Sequence, residues 1–550
     1  MSVMAYAPYG AGGIIIRVEA DIRRGIPGID ISGLAKGAVQ EARERVRAAF
    51  RNSGFSFPLD RILINLAPAG LRKDGAALDL PIALAVMAAA GIAPVPPNLL
   101  VMGELELSGR IRPVRGVLAA IAAGLDEGIT EVIVPEENRM EAAILPAVHF
   151  AAVSTLREAV DTLFIRSEQG ILPDTGNHHS HSPETGDSAY NDFANGDIAD
   201  VRGQAIYKRA LEIAAAGGHN MLVFGPPGAG KTMLARRLPS IMAPLSPDEA
   251  VEVTRLHSLA GPYHDSTGSG NGFIDRLITI PPFRAPHHSA SAEGILGGGR
   301  TTHPGEISLA HFGVLFLDEA PEFKANVLQA LREPLEDRII SISRAEGQVR
   351  LPAEFQLLLA ANACPCGRLG KRHAEDAYQN DSGCLCSPEE INRYWRKFGG
   401  ALLDRIEIRV AVFPPRIDEI GKAPSLDSSN TAEECSADMA RRVRNAVAIQ
   451  QQRCNGAKGS QGVGIRRNAL IPAGKMETIC PMTSQARSAF HQALSRLGLS
   501  GRAYHGIQRV GRTIADLDGK EIIDTAHILE AVQYRRYGDD PYDIITAEGW

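Results

Sequence analysis

Aromatic residues make up only 5% of this 550-residue chain, with two tryptophans, and cysteine is as sparse, with seven. So few thiols exclude a disulfide framework of the kind that staples small secreted domains, and they fit a reducing cytoplasm. Long apolar runs are missing too. The longest, "LPIALAVMAAAGIAPVP" (80–96), is broken by Pro and Gly and reads as a buried helix, so no membrane span is expected. The first residues, "MSVMAYAPYGAGGIII", have no basic segment leading into an apolar core, which argues against a secretory signal. Positive charge is not in excess: the net charge of −6 excludes a surface coated for polyanions but leaves room for a local basic channel. Internal repeats are also lacking.

What is present is ordinary for a globular protein, with 44% apolar and 22% charged residues. The length is too great for one core and predicts about two to four domains. Residues 1–165 alternate β-like runs ("GGIIIRVEADI", "RILINLAP", "EVIVPEEN") with helix-like ones ("GAVQEARERVRAAFRNSG", "GVLAAIAAGLDEG"), an α/β pattern. The polar, aperiodic stretch 166–197 reads as a linker. His178, His179 and His181 fall inside it and are expected to be solvated rather than metal-bound. A second α/β pattern covers 198–415. After a polar join at 421–436, the helical periodicity of "DMARRVRNAVAIQQQR", "MTSQARSAFHQALSRLG", "AYHGIQRVGRTIADLDG" and "DTAHILEAVQYRR" dominates 425–550.

The strongest motif is "MLVFGPPGAGKTMLARRLP". An apolar strand (221–224) runs into Gly225-Pro226-Pro227-Gly228-Ala229-Gly230-Lys231-Thr232 and then a helical pattern, which is the context a phosphate-binding P-loop requires. Its glycines let successive backbone N–H groups turn toward a phosphate. Lys231 would reach the β- and γ-phosphates of ATP, and the Thr232 hydroxyl would ligate Mg²⁺. Downstream, "GVLFLDEAPEF" (313–323) reads as a buried strand ending in Asp318 and Glu319. A carboxylate there suits Mg²⁺, giving Asp318 the metal and Glu319 the attacking water. A third strand, "FQLLLAAN", ends at Asn362, placed to orient that water against the γ-phosphate.

In this order, "GPPGAGKT", "LFLDEAPEF" and "AANACPCG" resemble an AAA+ ATPase. The stretches "DVRGQAIYKRALEIAAAGGHN", "FRAPHHSASAEGILGGGRTTHPGEISLAHFGVLFLDE", "LREPLEDRIISISRA", "GALLDRIEI" and "RAYHGIQRVGRTIADL" narrow the resemblance to the ComM/YifB family of magnesium-chelatase-like AAA+ ATPases. It covers nearly the whole chain except the linker and the region around 371–383. The resemblance implies a homo-oligomeric, hexameric ring that hydrolyses ATP with Mg²⁺. It also implies an N-terminal Lon-protease-like domain of ribosomal S5 type, an AAA+ P-loop domain, and a C-terminal helical lid. Arg405 in "GALLDRIEI" matches the family's arginine finger, which reaches the nucleotide of the neighbouring subunit. Taken alone it would read as a surface partner of Asp404 or Glu407. Arg502 matches the lid arginine termed sensor 2; Arg509 and Arg512 fall on later turns.

Cys364 and Cys366 are followed, after seventeen residues, by Cys384 and Cys386. Four thiolates can close a tetrahedral Zn²⁺ site, and a metal would order the polar "GRLGKRHAEDAYQNDSG" between them. The C-x-C spacing is less usual than C-x-x-C, and a loop with free thiols stays open as the alternative. Cys435, Cys454 and Cys480 are isolated and read as structural. Family members also often have Pro where this chain has Ala363.

The N-terminal resemblance raises the question of proteolysis. A Ser nucleophile needs a Lys base. Ala77 stands where the Ser motif matches, and Leu118 where the Lys would fall, so this region is expected to be a non-catalytic assembly or DNA-contacting module. Four functions follow in decreasing order: a motor on branched or single-stranded DNA; a chelatase-type motor remodelling a protein partner; an ATP-dependent protease, opposed by the missing pair; and a binding-only scaffold, opposed by the complete set Lys231, Asp318, Glu319, Asn362 and Arg405. For DNA, the Gly-rich insert 294–303 and the hairpin-like 340–355 offer Arg300 and Arg344 as phosphate contacts.

Overall fold

The structure is a computed structural model that describes residues 1–34, 36–68, 73, 76–173, 196–261, 274–299, 303–344, 347–369, 384–414, 434–454, 465–497 and 500–535. His178, His179, His181 and Arg300 therefore lie outside the described residues, as does most of the join at 421–436.

The N-terminal region holds a seven-stranded mixed sheet. Its strands are β1 (Ser2–Ala7), β2 (Ile14–Arg23), β3 (Gly28–Ser32), β4 (Arg61–Ala67), β5 (Leu99–Val101), β6 (Glu131–Pro135) and β7 (His149–Val153). They are ordered β3-β4-β2-β1-β5-β6-β7. The alternating apolar residues of "RILINLA" put Ile62, Ile64 and Leu66 into the core while Arg61 and Leu63 stay exposed. The long apolar run of the sequence becomes helix Asp79–Ala89, buried from Asp79 to Ala88 and packed on β1 and β2. Its one charge, Asp79, is fully buried, and Arg45 Nε approaches it at 2.6 Å. Burial raises that carboxyl to about 6 against the pull of Arg45.

The second sheet has five parallel strands: β8 (Met221–Phe224), β9 (Phe283–Arg284), β10 (Val314–Leu317), β11 (Gln356–Ala361) and β12 (Ile408–Ala411), ordered β9-β10-β11-β8-β12. Every residue of β8, β10 and β11 is buried, as unbroken apolar runs in a sheet covered on both faces require. An antiparallel hairpin, Ile339–Arg344 with Gly347–Pro352, stands just before β11, where the sequence suggested one. Helices Ser436–Cys454, Ser484–Leu497, Gly501–Leu517 and Thr525–Gln533 form the C-terminal part. They share one continuous core with helix Ala205–Gly217 and one face of the five-stranded sheet. The whole is a mixed α/β fold with a parallel sheet and a helical C-terminal region.

A buried polar joint ties the two sheets' regions together. Helix Pro247–Ala260 packs against helix Val117–Asp126, and its Ser258 hydroxyl donates to Glu141, which is 1% exposed. Glu141 also accepts from the Leu118 N–H at 3.0 Å and from Asn138 Nδ2 at 2.9 Å. Burial raises the Glu141 carboxyl, with these donors opposing. Among the described residues, no helix is long and apolar enough to cross a membrane.

Candidate nucleotide and metal sites

The parallel order brings the C-terminal ends of β10, β11 and β8 side by side, and the three motifs of the sequence meet there. Gly225 leaves β8 so close to its neighbour that an added Cβ would stand 2.0 Å from the Val412 carbonyl oxygen. Gly228 and Gly230 take positive φ angles of 82° and 80° on the way to helix Lys231–Ala235, a conformation that turns the intervening N–H groups inward. Lys231 Nζ donates to the carbonyls of Gly225 (2.8 Å) and Pro226 (2.9 Å) and to Asn362 Oδ1 (3.3 Å). Burial lowers its ammonium to about 8, with Asp318 and Glu319 pulling the other way. The Thr232 hydroxyl donates to Asp318 Oδ2 at 2.8 Å.

Glu319 stands apart, its side chain 61% exposed. Its backbone is left-handed (φ 48°), and its N–H donates to Asp318 Oδ1 at 3.0 Å. The two adjacent carboxylates thus have different surroundings: Asp318 meets the Thr232 hydroxyl, and Glu319 faces solvent beside His288. The hard oxygens of Thr232 and Asp318 fit Mg²⁺, whose bound charge would offset that of the phosphates. The loop amides and the Lys231 ammonium fit the phosphates themselves.

Sequence reasoning missed the supports of this site. The Tyr207 hydroxyl donates to the Lys231 carbonyl at 2.9 Å, and Gln204 Nε2 donates to the carbonyls of Ala229 and Phe413. Both belong to the "VRGQAIYKRA" stretch, where Gln204 stands at the helix start with a left-handed backbone (φ 57°), which the sequence pattern did not mark. His288 Nδ1 lies 3.8 Å from Glu319 Oε2, and the His287 ring packs on His288. The pair follows edge strand β9 directly, so only strand order reveals its nearness to Glu319.

Arg405 and Arg502 do not join Lys231 in this chain. They meet each other instead, with the Glu336 carboxylate shared between them. The Arg405 guanidinium also donates to the Ala401 carbonyl, and Arg502 Nη1 lies 3.6 Å from Asp404. Arg509 and Arg512 are held inside the helical region, by the Ile471 carbonyl and by Asp516 respectively. Arg344 ends the first hairpin strand opposite Gly347.

The four cysteines converge. All four Sγ atoms of Cys364, Cys366, Cys384 and Cys386 lie within 4.8 Å of one another, on both sides of the undescribed 370–383. Cys435, Cys454 and Cys480 stay outside this group. Ala77 is half-buried, and Leu118 is fully buried.

A P-loop on a five-stranded parallel sheet, with an acidic strand end, a polar strand end and a helical C-terminal region, marks the AAA+ class of ATPases. The model "Magnesium chelatase, subunit ChlI" matches residues 197–420. "Subunit ChlI of Mg-chelatase" matches 18–138, and "Magnesium chelatase, subunit ChlI C-terminal" matches 433–535. The chain is 37% identical over 537 residues to Competence protein ComM of Haemophilus influenzae, covering 97% of each protein. It is 37% identical over 541 residues to the uncharacterized protein YifB of Escherichia coli, covering 96% of each. A Lon protease of Salinispora arenicola is 31% identical over 163 residues, 28% of this chain and 21% of that protein. The chain belongs to the ComM/YifB family of magnesium-chelatase-like AAA+ ATPases, and that membership implies the use of ATP and Mg²⁺.

Proposed function

We propose that this protein is a cytoplasmic, hexameric ring ATPase that hydrolyses ATP at its subunit interfaces to move branched or single-stranded DNA. The observation that carries the catalytic part is the pair of side-chain contacts Lys231–Asn362 and Thr232–Asp318, made from adjacent residues across three strand ends. In this reading residues 225–232 cradle the phosphates, and Thr232 and Asp318 hold Mg²⁺. Glu319 takes a proton from the attacking water, and Asn362 orients that water. Arg405 and Arg502 act on nucleotide at the interface. Residues 198–415 are the motor, 425–550 its lid, and 1–165 a non-catalytic module; of the 166–197 linker, the first residues instead finish helix Leu156–Gln169 and seat Leu172 in the N-terminal core.

The DNA assignment is supported by the near full-length likeness to a competence protein and by the hairpin whose first strand ends at Arg344. Arg300 is proposed beside it. Zn²⁺ is assigned to the four converging thiols.

The test is the ATPase rate with and without a four-way DNA junction, alongside Glu319→Gln and Arg405→Ala. Strong stimulation by the junction, lost in both variants, supports the DNA motor. ATP turnover indifferent to every DNA tested moves the substrate to a protein partner, as in a chelatase motor.

A further inference from the structure

Three Sγ–Sγ separations in the cysteine cluster are 3.3, 3.6 and 3.5 Å, for the pairs Cys364–Cys366, Cys366–Cys384 and Cys364–Cys384. These are close to the edge of about 3.8 Å of a tetrahedron with Zn–S bonds of about 2.3 Å, and far from a disulfide at about 2.05 Å. Cys364 is buried in the core just after β11, while Cys366 faces solvent. The Leu369 N–H donates to Cys364 Sγ at 3.4 Å, the kind of support a ligating thiolate takes from a surrounding loop.

What makes the cluster more than a staple is its address. Cys364 follows Asn362 by two residues. The turn closed by the Gly367 N–H on the Cys364 carbonyl (3.0 Å) lies against the P-loop. A Cβ on Gly367, whose φ is 72°, would stand 3.2 Å from Pro227 Cδ and 3.9 Å from Asn362 Nδ2. On the other side, Trp395 Nε1 donates to the Ala363 carbonyl at 3.2 Å. The turn that carries two of the thiols is thus wedged between the P-loop and Trp395, the last residue of helix Pro388–Trp395, with Asn362 at its base.

We infer that Zn²⁺ held by Cys364, Cys366, Cys384 and Cys386 clamps the Asn362 turn against Pro227, so that metal occupancy sets the rate of ATP hydrolysis rather than the affinity for ATP. The inference rests on the readings of the thiols as a zinc site and of Asn362 as the residue that orients water. Asn362 acts on the reacting groups; the cysteines and the metal position it. A clamp of this kind also gives the exposed edge of the cluster a regulatory use: removal of zinc would slow the motor without unloading its nucleotide.

The experiment uses the full chain. Zinc per chain is measured by mass spectrometry of the metal. Turnover and the Kd for a fluorescent ATP analogue are then compared for wild type, Cys384→Ser/Cys386→Ser, Asn362→Ala and the combination. We expect about one zinc per chain, lost in the double-serine variant. Its turnover should fall about tenfold or more with Kd unchanged within about threefold, and Asn362→Ala added to it should lower turnover no further. A parallel arm strips zinc from folded wild type with a thiol reagent and chelator, then restores reduced thiols and Zn²⁺. Recovery of turnover with zinc, and none with Mg²⁺ alone, is expected. Wild type without zinc overturns the metal reading. Zinc present but irrelevant to turnover overturns the clamp and leaves the metal. Independent, multiplicative losses, or loss of ATP binding with the metal, overturn the route through Asn362.

Discussion

Nη2 of Arg405 lies 2.5 Å from Oε1 of Glu336. The same carboxylate oxygen receives Arg502, so two positively charged groups from distant stretches of the chain are parked on one acid. Glu336 is held below the usual carboxylate range, first by its hydrogen bond from Arg405. The Arg405 side chain is only 10% exposed, which gives it one orientation instead of a sweep of rotamers. Glu336 is thereby a positioning residue for both, and nothing in the sequence pattern of "LREPLEDR" marked it.

Arg405→Ala should leave ATP binding intact and reduce turnover about a thousandfold, the scale of an arginine finger acting in trans. Mixing that variant with Glu319→Gln should restore measurable activity, since some interfaces then pair an intact Arg405 with an intact Glu319. Turnover by each interface in the mixture, followed by phosphate release, checks this. Two inactive variants that stay inactive together would place Arg405 outside the reaction.

Glu319→Gln should bind ATP as wild type does and lose turnover by about a hundredfold or more, since it keeps shape and removes the base. Thr232→Ala, by contrast, should raise the Mg²⁺ concentration needed for half-maximal rate. Equal Mg²⁺ curves for Thr232→Ala and wild type would move the metal off that hydroxyl.

Acid should weaken the fold through two histidines. Burial lowers His219 to about 3 and His257 to about 4. Both lie below the unfolded value of about 6.5, so between these limits the unfolded chain binds more protons and stability falls as pH falls. Each contributes a loss of about 1.4 kcal/mol per pH unit below about 6.5. Melting temperatures at pH 7.5 and 5.5 should therefore differ less in His219→Gln than in wild type. Equal differences would place the acid sensitivity elsewhere.

Restoring a Lon-like pair with Ala77→Ser and Leu118→Lys should give no peptidase activity. Leu118 is fully buried, and its N–H is committed to Glu141. Placing an ammonium there should lower stability by about 3 kcal/mol, read as a fall in the denaturant midpoint. Casein or peptide cleavage by the double variant would contradict this.

Much of the candidate nucleotide site was legible because its signals are local. An apolar run of four residues followed by Gly225 to Thr232 fixes strand, loop and helix start at once, and Asp318 and Asn362 each directly follow a buried strand that ends apolar. The helices after 436 show their periodicity directly. The supports were not legible because they depend on pairings across long separations. His288 meets Glu319, Tyr207 meets Lys231, and Glu336 gathers Arg405 and Arg502 only once the strands are laid in the order β9-β10-β11-β8-β12. Convergence of the four thiols belongs to the same class. Their spacing left two readings open, and only the approach of Cys384 to Cys364, far apart in the chain, brings them together.

The carbonyl of Arg405 accepts from Asn220 at 3.1 Å, the residue just before β8, whereas the P-loop leaves β8 at its other end. The four residues of that strand span roughly 13 Å. The molecule therefore has a head and a tail. Copies that meet head to tail make a contact between unlike surfaces, which closes into a circle or runs on as a helix and never satisfies itself in a two-fold pair. In the ring proposed above, damage at the tail of one copy would be felt at the head of the next, through the neighbour's Arg405.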